Sequence, residues 1–385
     1  MTRRRALSRR GALLLAAGGL AQLSLPRAAP AASVAAVADQ RAEVVALLAE
    51  RARTLTAPPS APPVEAAYRN LVLGPAGRPD RLTATAELTV RVTGYDAYPV
   101  VHPRRLELWR TGGGWRVERE DGPDGPAPLW DFGTVRAAAG AHCLVLGLAD
   151  GPDPAQLTAV ADRAVPAVTA LWGTAWPGRL LLELPATEEQ FGRLLDADPA
   201  GWTGMVAVTT AAPGAPRHTP ADRVLVNPGA YRGLSDFGRQ VVITHEAVHV
   251  ATRADTRAWT PLWLSEGVAD WTGYRDSGRS PRQIAPELAR DVAAGRVPSA
   301  LPADRDFTAG ADGIAQAYEQ AWLACDLIAR RFGPDRLVGY YRAVGAAGAG
   351  AGREEQSDRV LRDELGLGLA EFTALWVAEV RRLAA

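Results

Sequence analysis

Two pairs of side chains constrain this chain more than anything else in it. His245-Glu246-Ala247-Val248-His249 holds two imidazoles at i and i+4, and Trp263 to Asp270 holds two carboxylates, Glu266 and Asp270, at the same spacing. Positions four apart share one face of an α-helix. Each pair therefore predicts a helix, and the 17 residues from His249 to Glu266 leave room for the first helix to end, the chain to turn, and a second to begin. No Pro or Gly interrupts Arg239 to Trp259, and Ser235 stands where an N-cap belongs. Thr260-Pro261 suits the turn, because Pro is tolerated at a helix start but not inside a helix.

The chemistry follows from the residue types. Imidazole nitrogen is a favoured zinc ligand, and a catalytic zinc takes three protein ligands plus a water. His245 and His249 point at one spot, and Glu246 beside them can reach a water there as a general base. Two histidines one turn apart also suit an ordinary helix, but the chain has only five histidines. Glu266 offers a third ligand. Asp270 is placed to accept the outer ring N–H of a ligating histidine and fix its tautomer. A metzincin pattern fails, since Thr252 stands where Gly is needed and Asp255 where the third His belongs. The only methionines, Met1 and Met205, both lie upstream, so no Met-turn can follow. Asp255 remains the weaker alternative as third ligand.

His245-Glu246-x-x-His249 with Trp263-Leu264-x-Glu266-Gly267-x-Ala269-Asp270 resembles the gluzincin clan of zinc metallopeptidases, and within it the bacterial peptidase MA-like proteins. The specific motifs cover only about residues 241–275. The resemblance implies Zn2+ held by His245, His249 and Glu266, Glu246 as the base, Asp270 behind a ligating histidine, and a peptide or protein substrate. Clan relatives stabilise the oxyanion with a Tyr or His on a later helix. No histidine follows His249, so Tyr318 is the candidate, though it suits a core-edge tyrosine equally well. Tyr274 is expected to pack with Trp271. Gly204-Met205-Val206-Ala207-Val208 lacks the Glu and Asn of an aminopeptidase amine-binding stretch. The rival from another class is a non-catalytic zinc-fold binding or scaffold protein of the cell envelope. Intact Glu246 and only three visible ligands argue against it.

Arg3-Arg4-Arg5 and Ser8-Arg9-Arg10, then an apolar run from Gly11 to Leu25 and small residues at 29–32, read as a signal peptide over 1–32. It resembles a twin-arginine signal, so the chain is expected to be secreted or placed in the cell envelope. An uncleaved anchor is the alternative, but the run is short for a membrane span, and no later segment is long and apolar enough. With 43 basic and 43 acidic residues and no basic cluster, nothing points to nucleic acid. Nothing in the chain indicates oligomeric state. Export permits a disulfide, but Cys143 and Cys325 both sit in apolar runs, which favours two buried free thiols.

Residues 33–56 read as a helix. From Arg81 the period becomes two, with Leu82, Ala84, Ala86, Leu88, Val90 and Val92 alternating, and a hairpin follows across Gly112-Gly113-Gly114. That predicts a small helix-plus-antiparallel-sheet domain over 33–131, resembling nuclear-transport-factor-like or cystatin-like folds, with His102 as a lone loop histidine. After the Pro/Gly-rich linker 121–128, strand-like runs at 141–148, 179–184, 204–210 and 223–227 alternate with helices near 154–172 and 187–195. From 235 onward the chain reads as helical, apart from a Gly/Ala loop at 345–352. The expected class is α+β: the small domain, then a zincin-like domain over 132–385 with a mixed sheet and a mainly helical C-terminal lobe. One sheet edge, at 204–210, would pair with an extended peptide.

Overall fold

The computed structural model describes residues 31–55, 64–75, 78–122, 125–197, 204–210, 219–308, 310–348 and 352–384. The signal-peptide reading of 1–32 falls almost wholly outside them.

The fold is α+β. Helix α1 (Ala31–Leu55) packs on a four-stranded antiparallel sheet of β1 (Val64–Leu73), β2 (Arg81–Val92), β3 (Val100–Thr111) and β4 (Gly114–Asp121), in sequential order. The alternation read from Leu82 to Val92 is the buried face of β2. One half of that face, Leu82, Ala84 and Ala86, meets Val44 and Leu48 of α1. The other half, Leu88, Val90 and Val92, meets leucines of a second sheet. His102 lies within β3, opposite Leu88 of β2, and not in a loop. Burial and the neighbouring Arg104 push its pKa down to about 4.

The second sheet is mixed. It comprises β5 (Val135–Ala139), β6 (Cys143–Leu148), β7 (Leu180–Leu184), β8 (Ala207–Thr209) and β9 (Arg223–Val226), in the order β5-β6-β7-β9-β8. Strands β6, β7 and β9 are parallel, and β5 and β8 are antiparallel edges. The central strands are buried on both faces, as parallel strands usually are. Leu144, Leu146, Leu148, Leu181 and Leu225 face the first sheet. Val145, Leu180, Leu182, Val224 and Val226 face the helices.

Polar contacts reinforce this seam. Arg223 of β9 forks onto Asp96, in the β2–β3 connection, at 2.5 and 2.8 Å, with Glu183 of β7 at 3.6 Å. Asp96 and Arg223 are both buried, where a bidentate pair is at its strongest and an unpaired partner most costly. The linker is pinned at its far end: Ala127 N–H donates to Arg193 O at 3.0 Å, and Leu129 is fully buried.

On the helical side, α2 (Ala155–Trp172) covers the sheet, and α3 (Glu188–Leu194) starts with the Thr187–Gln190 capping box read from sequence. A short α4 (Pro228–Arg232) leads into α5 (Asp236–Thr252), capped by the Ser235 side chain, and then α6 (Leu262–Tyr274). The remainder comprises α7 (Pro281–Ile284), α8 (Pro286–Ala293), α9 (Ile314–Phe332), α10 (Pro334–Ala346), α11 (Arg353–Leu365) and α12 (Leu369–Arg382). Cys143 and Cys325 are both buried and free. Among the described residues no helix is long and apolar enough to cross a membrane.

Candidate metal centre

Helix α6 sits flush between α5 and α9 because two of its residues are glycine. A Cβ at Gly267 would run into the Ala321 carbonyl and Cys325 of α9, and one at Gly273 into the Val241 carbonyl of α5. Backbone atoms cannot step aside as a side chain can, so these positions fix how closely the helices approach. The result brings Glu266 of α6 against the histidine face of α5 and beside Tyr318 of α9.

Three ligand atoms meet there. His245 Nε2 and His249 Nε2 are 3.0 Å apart, and Glu266 Oε2 lies 3.3 Å from the first and 3.5 Å from the second. A tetrahedral zinc with bonds of about 2.0 Å has ligand–ligand edges of about 3.3 Å. The triangle thus has the size of one face of that tetrahedron, so His245, His249 and Glu266 form a group able to hold a metal ion. Asp270 Oδ1 lies 2.8 Å from His245 Nδ1. With Nδ1–H donating to this carboxylate, Nε2 keeps its lone pair aimed at the centre.

The electrostatics favour a cation. Burial works against a charged His245 imidazole, but Asp270 and Glu266 outweigh it and push its basicity well up. Burial likewise opposes ionisation of Glu266, and the two imidazoles override it, holding this carboxyl well below its usual range. Tyr318 shows the opposite response. Burial and then the carboxylates of Glu266, Asp270 and Glu246 keep its phenol firmly protonated, so it remains a donor. Its ring lies 6.3 Å from that of His245 and packs edge-on against Phe307.

Glu246 faces the same cleft and takes no part in the triangle. It is buried, and Thr209 Oγ1 donates to its Oε2 at 2.6 Å. Thr209 ends β8, the sheet edge predicted over 204–210 and here a strand of only three residues. Sequence reasoning missed this threonine. Its sole signal is a polar residue closing an apolar edge strand, which is far too common to single out. Asp255, the alternative third ligand, is not brought to the centre: it lies past the end of α5, where Arg342 of α10 reaches its carboxylate at 3.4 Å. Tyr274, at the end of α6, packs its ring against Phe237 of α5 at 6.0 Å.

The centre opens into a cleft of about 920 Å³ between β8 and helices α5, α6 and α9. A cleft of that size accommodates several residues of an extended chain.

No protein-family model matches this chain, and no curated protein matches it. Solved structures do. An M1 zinc metallopeptidase from Deinococcus radiodurans, in a mutant form, is 16% identical with a TM-score of 0.40, over 81% of this chain and 64% of that one. A mutant from the same organism bound to a Tyr-Ser-Ala substrate is 16% identical with a TM-score of 0.39, over 82% and 61%. A two-domain M1 zinc metallopeptidase mutant bound to L-tryptophan is 15% identical with a TM-score of 0.39, over 81% and 64%. The chain thus spans less than two thirds of the length of each. At this identity and overlap the likeness speaks to neither activity nor substrate.

Proposed function

We propose that this chain is an exported zinc metallopeptidase that hydrolyses peptide bonds. The observation that carries the reading is the His245–His249–Glu266 triangle with the separate carboxylate of Glu246 facing the same cleft. A purely structural zinc has no use for that second carboxylate, and takes four protein ligands where three are at hand among the described residues. The export part of the reading rests on the basic and apolar sequence of residues 1–32.

Zinc bound by these three side chains supplies a Lewis acid for the scissile carbonyl and brings the pKa of water towards about 7. Glu246 takes the proton of the attacking water and later delivers it to the leaving amine. Thr209 keeps the Glu246 carboxylate turned into the cleft. Tyr318 donates a hydrogen bond to the oxygen on which charge develops. Asp270 holds His245 in the ligating tautomer. The edge of β8 offers backbone groups with which an extended peptide can pair.

Metal analysis of the purified chain, together with cleavage of a peptide library with and without chelator, tests the reading. About one zinc per chain and chelator-sensitive cleavage are expected. Bound zinc with no cleavage of any peptide would leave the scaffold alternative. A second measurement addresses Thr209. Thr209→Val removes the hydroxyl but keeps the shape, and is expected to lower kcat about tenfold or more with KM and zinc content little changed. An unchanged kcat would remove Thr209 from the machinery.

A further inference from the structure

The cleft has unlike ends. Val241 and Val242, with Tyr274, line it towards the start of α5, and Arg253 and Arg257 line it past the histidines. Arg253 is neutralised: it pairs with Asp222 at 2.5 Å and also donates to Thr219. Arg257 is different. Its Nη1 donates to the carbonyls of Ala254 at 2.7 Å and Thr256 at 2.8 Å, which fixes the plane of the guanidinium. No carboxylate pairs with it among the described residues, although it is only half exposed.

The acidic groups nearby are engaged elsewhere. Asp222 belongs to Arg253, Asp255 meets Arg342, and Asp304 accepts the Leu262 N–H at 3.0 Å. That leaves a net positive charge, partly withdrawn from water and pre-oriented, on the wall of a substrate cleft. A partly desolvated guanidinium gains most from a carboxylate taken side-on, through its remaining N–H groups.

We infer that Arg257 is a specificity residue that binds a carboxylate of the substrate, either a free C-terminus or an acidic side chain. This rests on the peptidase reading of the same cleft. The substrate then lies with an apolar stretch towards Val241 and Val242 and its negative charge towards Arg257.

The test uses the zinc-loaded full chain. First, wild type is assayed for cleavage of three related peptides: one with a free C-terminal carboxylate, its C-terminal amide, and that amide with glutamate placed at each position in turn. Second, binding of the same peptides is measured by fluorescence anisotropy on the Glu246→Gln variant, where turnover does not interfere. A carboxylate-bearing peptide is expected to bind about tenfold or more tighter than the neutral amide, the scale of a hydrogen bond to a charged group. Adding Arg257→Gln should erase that gain, Arg257→Lys should restore part of it, and binding of the neutral amide should not change, which reports an intact fold. The free-terminus and glutamate arms separate the two sources of the carboxylate. Cleavage with no carboxylate preference, or a preference that survives Arg257→Gln, overturns this inference alone. No cleavage of any peptide overturns the peptidase reading and the inference with it.

Discussion

Glu246→Gln is expected to retain zinc and to lose peptide hydrolysis by about 10²–10⁴-fold, the range for removing a general base. The two properties separate because Glu246 lies outside the ligand triangle, so its amide replacement leaves the three donor atoms in place. Glutamine is nearly isosteric, and its carbonyl oxygen can still accept the Thr209 hydroxyl that the carboxylate now accepts at 2.6 Å. Only the ability to carry a proton is removed. Zinc content by mass spectrometry and kcat on the best library peptide are the two readouts. Full activity with zinc bound would end the assignment of Glu246 as base.

Glu266→Ala is expected to weaken zinc binding by at least about 10²-fold, more than the loss of an outer partner would. It removes one corner of a triangle whose edges are 3.0, 3.3 and 3.5 Å, and leaves two imidazoles with no anionic ligand. Asp255→Ala is the matched control, because Asp255 is turned towards Arg342 and stands outside the centre. Competition against a chelator of known affinity gives both values on one scale. If Asp255→Ala proved the more damaging, the third-ligand role would pass to Asp255.

What the sequence made legible is what obeys a short period. The i, i+4 pairs on α5 and α6, the Ser235 cap and the alternation of β2 all depend on near neighbours. What it hid depends on distant ones. Strand β1 escaped notice because a bulge between Arg69 and Val72, with Asn70 at a φ of 52°, breaks its alternation. Strand β5 (Val135–Ala139) is mostly alanine, in a chain where alanine is too abundant to signal anything. The expected strand over 204–210 shrank to three residues, since only Ala207 to Thr209 keep ladder register with β9, although Thr210 N–H still donates to Arg223 O at 3.0 Å. Thr209 and Arg257 gain meaning from what faces them, which no local pattern records. The motif glycine, Gly267, was visible as a letter, but its reason is the backbone of α9, more than fifty positions away.

The leucine-lined seam between the two sheets bears on how this molecule can be taken apart. Leu144, Leu146, Leu148, Leu181 and Leu225 are covered in part by Val64, Leu88, Val90 and Val92 of the strands that come first in the chain, alongside Leu129, Phe191 and Leu194. Lifting those strands away would also leave the Arg223 guanidinium beside Glu183 without its main counter-charge, Asp96. The amino-terminal part is therefore better understood as backing for the sheet whose edge lines the cleft than as a passenger that proteolysis could trim away, and a chain shortened to residues 132–385 would present a greasy plate to water.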